Sequence, residues 1–348
     1  MRVLFLTSGE FIPSSRYRIH PYLSHLRSQG IECDVSHSIP PKYHRFPWLG
    51  WRLSHLIRKG IRTVQFRRSN LRRYDVVVLE REIFDDPTWN YEALLRSRIP
   101  RLILDIDDAI FLRYPEKFAR IAGMSDHILA GNRLLAQECL KHSPHVTVIP
   151  TAIDLNDYPP LPERTVQEIP VIGWIGTTAN LPYLNVAIPA LKKVFETHRF
   201  LFRVITSDDQ DLKKLDFGSI PVEFRRWSAP AAVHEIQQFH IGIMPLPDEP
   251  WERYKCGFKL LQYMASGVPA IASPVGVNRE IISHGINGLL AETSEDWYDS
   301  LKLILTNPDR GSSLREAARD TIEVRYSVDL QFPLILNAIM GEERVAPL

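Results

Sequence analysis

The chain has 348 residues, 45% of them hydrophobic and 24% charged, a composition of one or two globular domains and not of a disordered or fibrous protein. Lys and Arg number 42 against 41 Asp and Glu, which argues against a chain built to coat nucleic acid. Cys33, Cys139 and Cys256 are too far apart to read as a disulfide framework or a zinc site, and no apolar run approaches the roughly 20 residues of a membrane-spanning helix. The opening MRVLFLTSG, without a cleavage signature, leads to the expectation of a reducing, cytoplasmic protein.

MRVLFLT predicts a first strand, followed by a loop through Ser8, Gly9 and Pro13 and a helix over PYLSHLRSQG that Gly30 closes. IECDVS is a second strand. The stretch from Val35 to Tyr74 then holds no Asp or Glu but ten Lys and Arg, leaving 32 basic and 41 acidic residues elsewhere. Leu49, Leu53, Leu56, Ile57, Ile61, Val64 and Leu71 recur within it at spacings of mostly three and four. That pattern predicts an amphipathic helix from about 48 to 72, roughly 37 Å long, with Trp48 and Trp51 at its start. Such a stripe either packs on the sheet or lies on an anionic membrane surface, where each Lys or Arg adds about 1 kcal/mol. Interfacial tryptophans favour the second, so residues 42–73 are assigned to an anionic membrane surface.

YDVVVLE is an apolar run suited to a buried parallel strand. A helix near NYEALLRSRI, the strands RLILDI and DHILAG, a helix over NRLLAQECLKH and the strand VTVIP continue the alternation, which implies a parallel sheet covered by helices. TAIDLNDYPPLPERTVQEIP, with four prolines and no periodicity, reads as an interdomain linker. The alternation restarts at PVIGWIG and runs through VAIPALKKVFETH, FLFRVIT, VEFRRW, AAVHEIQQF, IGIMPL, GFKLLQYMASG and PAIAS to three helices near the end. Two α/β units predict a bilobal molecule with a cleft: 1–160, 161–330, and a tail 331–348 that crosses back to the first domain.

Ligands of parallel sheets gather at the carboxyl ends of strands, so the strand-to-helix turns hold the candidate site residues. In TSGEFIPSSRYRIH, Ser14, Ser15, Arg16 and Arg18 suit an anionic group, although the G-x-G-x-x-G of a dinucleotide site is missing. In RLILDIDDAIF, Asp105, Asp107 and Asp108 crowd together as a base, a hydroxyl-binding group or a metal ligand. This run partly resembles the aspartate signature of haloacid-dehalogenase-like phosphatases, which makes a magnesium-dependent phosphohydrolase using Asp105 and Asp107 one rival reading. Glu80, Arg81 and Glu82 in LEREIF border the same place. Gly173, Gly176, Thr177, Thr178 and Asn180 in VIGWIGTTANLPYL fit a diphosphate or a sugar hydroxyl. Most informative is WERYKCGFKLLQYMASG: Lys255 and Lys259 bracket Gly257 as a helix begins, so amide donors, a positive helix end and two ammonium groups converge. That combination neutralises a leaving diphosphate without a metal, and Gln262 one turn on can bond a ribose diol.

The run from about 241 to 292 closely resembles the C-terminal lobe of glycosyltransferase family 4, the glycosyl transferases group 1, in its QYMASGVP, AIASPVGVNRE and NGLL segments. VIGWIG matches that lobe's opening strand, and SSRYRIHPYLSHLRSQG with DIDD looks more loosely like the N-terminal lobe. The resemblance implies an α/β GT-B fold, two Rossmann-like domains facing each other across a cleft. It also implies a retaining transfer from a nucleotide-diphosphate sugar, with no cofactor or metal, to a glycan or lipid-linked acceptor. Trp227 stands where the family contacts the base. The donor-binding set is then Gly176, Thr177, Trp227, Lys255, Gly257, Phe258, Lys259 and Gln262; the acceptor set is Arg16, Arg18, Glu82 and Asp107; Asp107, Lys255 and Lys259 carry catalysis. The family's two glutamates fall on Tyr254 and Gln262, and the Arg and Lys after its first strand are absent from GTTANLPYL, so Lys255 and Lys259 replace that charge. Those departures leave a non-catalytic sugar-nucleotide-binding protein as a second rival, with nucleotide-sugar epimerases, which share the architecture, behind it. His127 reads as a sheet-edge histidine. Bacterial surface-polysaccharide assembly, at the inner face of a membrane and without nucleic acid, completes the expectation.

Overall fold

A computed structural model describes residues 1–42, 46, 48–68, 70–159 and 169–342. Arg45 of the basic stretch, residues 160–168 of the expected linker and residues 343–348 of the expected tail lie outside these. The chain divides into two units, one formed by Met1–Ala152 with the chain from Val328 onward and the other by Ile153–Ser327.

The first unit is a six-stranded parallel sheet of β1 (Arg2–Thr7), β2 (Glu32–His37), β3 (Val76–Glu80), β4 (Arg101–Ile106), β5 (His127–Ala130) and β6 (Val146–Val148), in the order β2-β1-β3-β4-β5-β6. VVVLE is buried at all five positions because helices cover both faces of the sheet. The strand order reverses at β1, so the β1/β3 boundary is a topological switch point, where ligands of such sheets lodge. Register brings Thr7 beside His37 and Glu80 beside Asp105 at that edge. The Val328–Met340 helix belongs to this unit: His25 meets Asp329 at 3.1 Å, and Arg101 donates to the Ala338 carbonyl at 3.0 Å.

The second unit repeats the plan with β7 (Val171–Ile175), β8 (Leu201–Thr206), β9 (Val222–Arg226), β10 (Ile241–Met244), β11 (Ala270–Ala272) and β12 (Leu289–Leu290), ordered β12-β11-β10-β7-β8-β9. Its switch point is β7/β10. The Phe258–Ala265 helix is pinned there by Tyr263, whose hydroxyl accepts from the Ile175 amide at 3.1 Å and donates to the Ile243 carbonyl at 3.2 Å. Close approach requires Gly242, since a Cβ there would stand 2.6 Å from the Tyr263 ring.

Three local expectations are corrected. The loop around Pro13 contains a helix, Pro13–Arg18, before the His20–Ser28 helix. The stretch after Asp108, which carries no predicted element, forms the Ile110–Arg113 and Pro115–Met124 helices. The basic helix runs only over Trp51–Arg68, roughly 27 Å, because Leu71 leaves the stripe for a separate turn and is buried in the core.

Candidate donor and acceptor sites

In the second unit the predicted donor residues collect at the carboxyl edge of the sheet. Gly176 follows β7, and a Cβ there would lie 2.7 Å from Cε of Lys259, so its bareness makes room for that lysine. The Lys259 ammonium stands 5.5 Å from the centre of the Trp174 ring, and that of Lys255 stands 5.6 Å from the Tyr183 ring. Among the described residues Lys259 makes no ion pair with a carboxylate. Burial, with the neighbouring Lys255 charge, brings its ammonium down to about 7. Gly257 caps the helix at φ +66°, a left-handed conformation in which a side chain would also strike Ile281.

The other donor residues are placed less tightly. Gln262 is buried, and its Nε2 lies 3.5 Å from the Tyr158 hydroxyl, at the limit of hydrogen bonding. Phe258 packs on the core beneath the sheet. Thr177 is exposed at the entrance to the Thr178–Val186 turn and makes no capping bond. Trp227 sits at the carboxyl end of β9, two strands from β7 and thus about 10 Å away, partly packed on the same core. Glu252, which sequence reasoning passed over, is buried and accepts from the Tyr183 hydroxyl, two residues before Tyr254. The sequence signal was available in the acid of WERYK; its partner 69 positions earlier was not.

In the first unit most of the predicted acceptor residues are held by partners outside that set. Arg18 grips Asp105 with Nη2–Oδ1 at 2.6 Å and Nε–Oδ2 at 2.9 Å, and its Nη1 donates to the Ile149 carbonyl at 2.9 Å. Burial raises the Asp105 carboxyl while Arg18 opposes it. Glu82 accepts from Lys42 at 2.7 Å, in a pair whose side chains are almost wholly buried. Asp107 accepts from Arg81 at 2.6 and 3.0 Å. Burial would raise its carboxyl, but the two charged bonds from Arg81 win and hold it below the ordinary range. Arg81 pays for this grip with a left-handed backbone, φ 59°. Arg16 is half-buried over the Tyr17 ring, 4.9 Å from its centre.

At the β1/β3 switch point the Glu80 carboxylate accepts from Ser14 at 2.6 Å, from Ser15 at 2.5 Å and from the Ser8 amide at 3.2 Å. Beside it His37 meets Thr7 Oγ1 at 2.7 Å, and its ring stands edge-on to His20 at 5.3 Å. Burial lowers both imidazoles below the usual range, so they are neutral near pH 7. Neither histidine carried a sequence signal, because helix and strand are brought together only by the sheet. His127 opens β5, at the opposite edge, and bonds Thr147 at 2.9 Å. The phosphohydrolase reading needs Asp105 and Asp107 free to act, and arginines hold both; among the described residues no cluster of His, Cys, Asp or Glu fits a metal ion.

Two Rossmann-like units, each built on a six-stranded parallel sheet, have the plan of the GT-B fold. Residues 169–307 match the family of glycosyl transferases group 1. Along nearly its whole length the chain is similar in fold to the Anabaena protein HepE solved with UDP and glucose, at 16% identity and a TM-score of 0.66, covering 98% of this chain and 100% of that one. It is likewise similar to the sucrose-phosphate synthase of Thermosynechococcus elongatus, at 13% identity and a TM-score of 0.72, covering 98% and 99%. The lipopolysaccharide outer core galactosyltransferase WaaB gives 17% identity and a TM-score of 0.66, covering 98% and 100%. No curated protein matches the chain.

Proposed function

We propose that the protein transfers a sugar from a nucleotide-diphosphate donor to a glycan or lipid-linked acceptor, with retention of configuration and without a metal, in surface-polysaccharide assembly. The observation that carries this reading is the Lys259 ammonium, packed between Trp174 and Gly176 with a second ammonium near it and, among the described residues, no carboxylate paired to it. A folded protein keeps such a charge against a desolvation cost, and a diphosphate supplies the missing anion. In the transition state the same two lysines stabilise the negative charge that develops on the departing diphosphate, the part a divalent cation would otherwise play. Gln262 is assigned to the ribose and Trp227 to the base. HepE was solved with UDP and with UDP-glucose, and WaaB is described as a lipopolysaccharide galactosyltransferase, which supports both the donor class and the polysaccharide setting.

The acceptor is assigned to the first unit, at the carboxyl edge that holds Arg16 and Asp107. Because Arg81 keeps Asp107 ionised, Asp107 serves as an acceptor of hydroxyl hydrogen bonds and is a weak base. The lipid-linked acceptor places the protein at the inner face of a membrane, as a peripheral protein; no helix among the described residues is long and apolar enough to cross one. Incubation with UDP-sugars and cell-envelope lipid extracts, with and without EDTA, tests the reading. Labelled sugar is expected to move to the extract equally in both conditions. Transfer abolished by EDTA contradicts the metal-free chemistry, and no turnover of any nucleotide sugar contradicts the transferase.

A further inference from the structure

The Trp51–Arg68 helix holds polar side chains on its inner face and turns a row of apolar ones outward. Arg62, Ser54 and Phe66 are buried on the inner face. Arg62 donates to the carbonyls of His37 at 3.0 Å and Ser36 at 3.2 Å, which ties the helix to the end of β2. Lys59 pairs with Asp86 at 2.7 Å on the same side. The outer face carries Leu53, Leu56, Ile61 and Val64, exposed by 48%, 63%, 40% and 46%, and Trp48 just ahead of the helix is 93% exposed. Leu53, Leu56, Gly60 and Val64 follow one another by three, four and four positions, so they form one row, roughly 17 Å long.

An outward apolar row of this length marks a docking surface. Its charge selects the partner. No acid occurs from Val35 to Tyr74, and although Lys42, Lys59 and Arg73 are neutralised by Glu82, Asp86 and Asp34, Arg52, Arg67 and Arg72 stay exposed to water. A second copy of the chain would present the same positive charge to itself, whereas an anionic phospholipid surface offers phosphates to the arginines and an acyl boundary to the row.

We propose that Trp48, Leu53, Leu56, Ile61 and Val64 insert into the headgroup layer of an anionic bilayer, with Arg52, Arg67 and Arg72 on its phosphates. The inference rests on the peripheral-membrane reading above and gives it its residues. Because Arg62 fastens the helix to β2, the first unit as a whole is held at the lipid surface, with its acceptor edge near the headgroups' depth.

The test uses the full chain and vesicles of phosphatidylcholine, alone or with about a third phosphatidylglycerol, in co-sedimentation at low salt. The wild type is expected to bind the anionic vesicles, and Trp48→Ser with Leu56→Glu to lower that partition about tenfold or more. A far-ultraviolet circular dichroism spectrum and a melting temperature equal to those of the wild type report that the variant is folded. Brominated lipids are expected to quench a part of the wild-type fluorescence that Trp48→Ser removes. A wild type that ignores anionic vesicles overturns both this inference and the peripheral reading. Wild-type binding that the variant fully retains overturns the inserted row and leaves the peripheral reading standing. Absence of vesicle binding together with a dimer that Leu56→Glu splits assigns the row to a second copy.

Discussion

A lysine ammonium packed on a tryptophan ring, beside a second ammonium and without a paired carboxylate, destabilises the chain that holds it. Its lowered pKa fixes a sign. In the unfolded chain Lys259 keeps its proton to the ordinary value of 10.5, and in the folded protein it loses it at about 7. Between those values the unfolded state binds more protons, so this group makes the unliganded protein gain stability as pH rises through that window. Diphosphate binding runs the other way, because only the ammonium form attracts the anion. UDP affinity is therefore expected to be highest below about pH 7 and to fall by up to about tenfold per unit above it, with proton uptake on binding. Titrations in buffers of different ionisation enthalpy check this; no uptake near neutrality would mean that Lys259 does not meet the diphosphate. The local cluster of Lys255, Gly257 and Lys259 was legible in the sequence because one helix start sets it. Trp174, Tyr183 and Glu252 were not, since their places depend on how the Phe258–Ala265 helix meets β7.

At the scale of the element, buried parallel strands were the easiest features to read, since VVVLE and RLILDI are continuous apolar runs that no amphipathic helix shows. The Pro13–Arg18 helix was missed for a tertiary reason. Its serines look like turn residues, yet their hydroxyls bond Glu80 on β3, 65 and 66 positions away. The same distance in sequence hid the role of Arg18, whose guanidinium joins its helix to β4 and β6's trailing loop through Asp105 and Ile149. Arg18→Met is thus expected to destabilise the first unit by about 3–5 kcal/mol, the cost of a buried carboxylate left alone. Adding Asp105→Asn recovers part of that loss. Denaturant unfolding measures it, and UDP affinity in the same variants stays unchanged. A stable Arg18→Met protein that has lost only acceptor turnover would return Arg18 to the acceptor site.

For the whole molecule, the repeated alternation of strands and helices, with a glycosyltransferase-like segment in its second half, was enough to anticipate two parallel α/β units. Sequence did not show which charges each unit spends on itself. Arg18, Glu82 and Asp107 all looked available, and each is held by a partner from another element. Lys259 makes no ion pair with a carboxylate among the described residues, which is why the function is read from it. Calorimetric titration of UDP into the full chain and into Lys259→Met, at about pH 6.5, tests that reading most directly. The account predicts binding to the wild type, a variant weaker by about 2 kcal/mol, roughly 30-fold in Kd, and a variant that unfolds no earlier than the wild type. Equal affinity in the two proteins would contradict it.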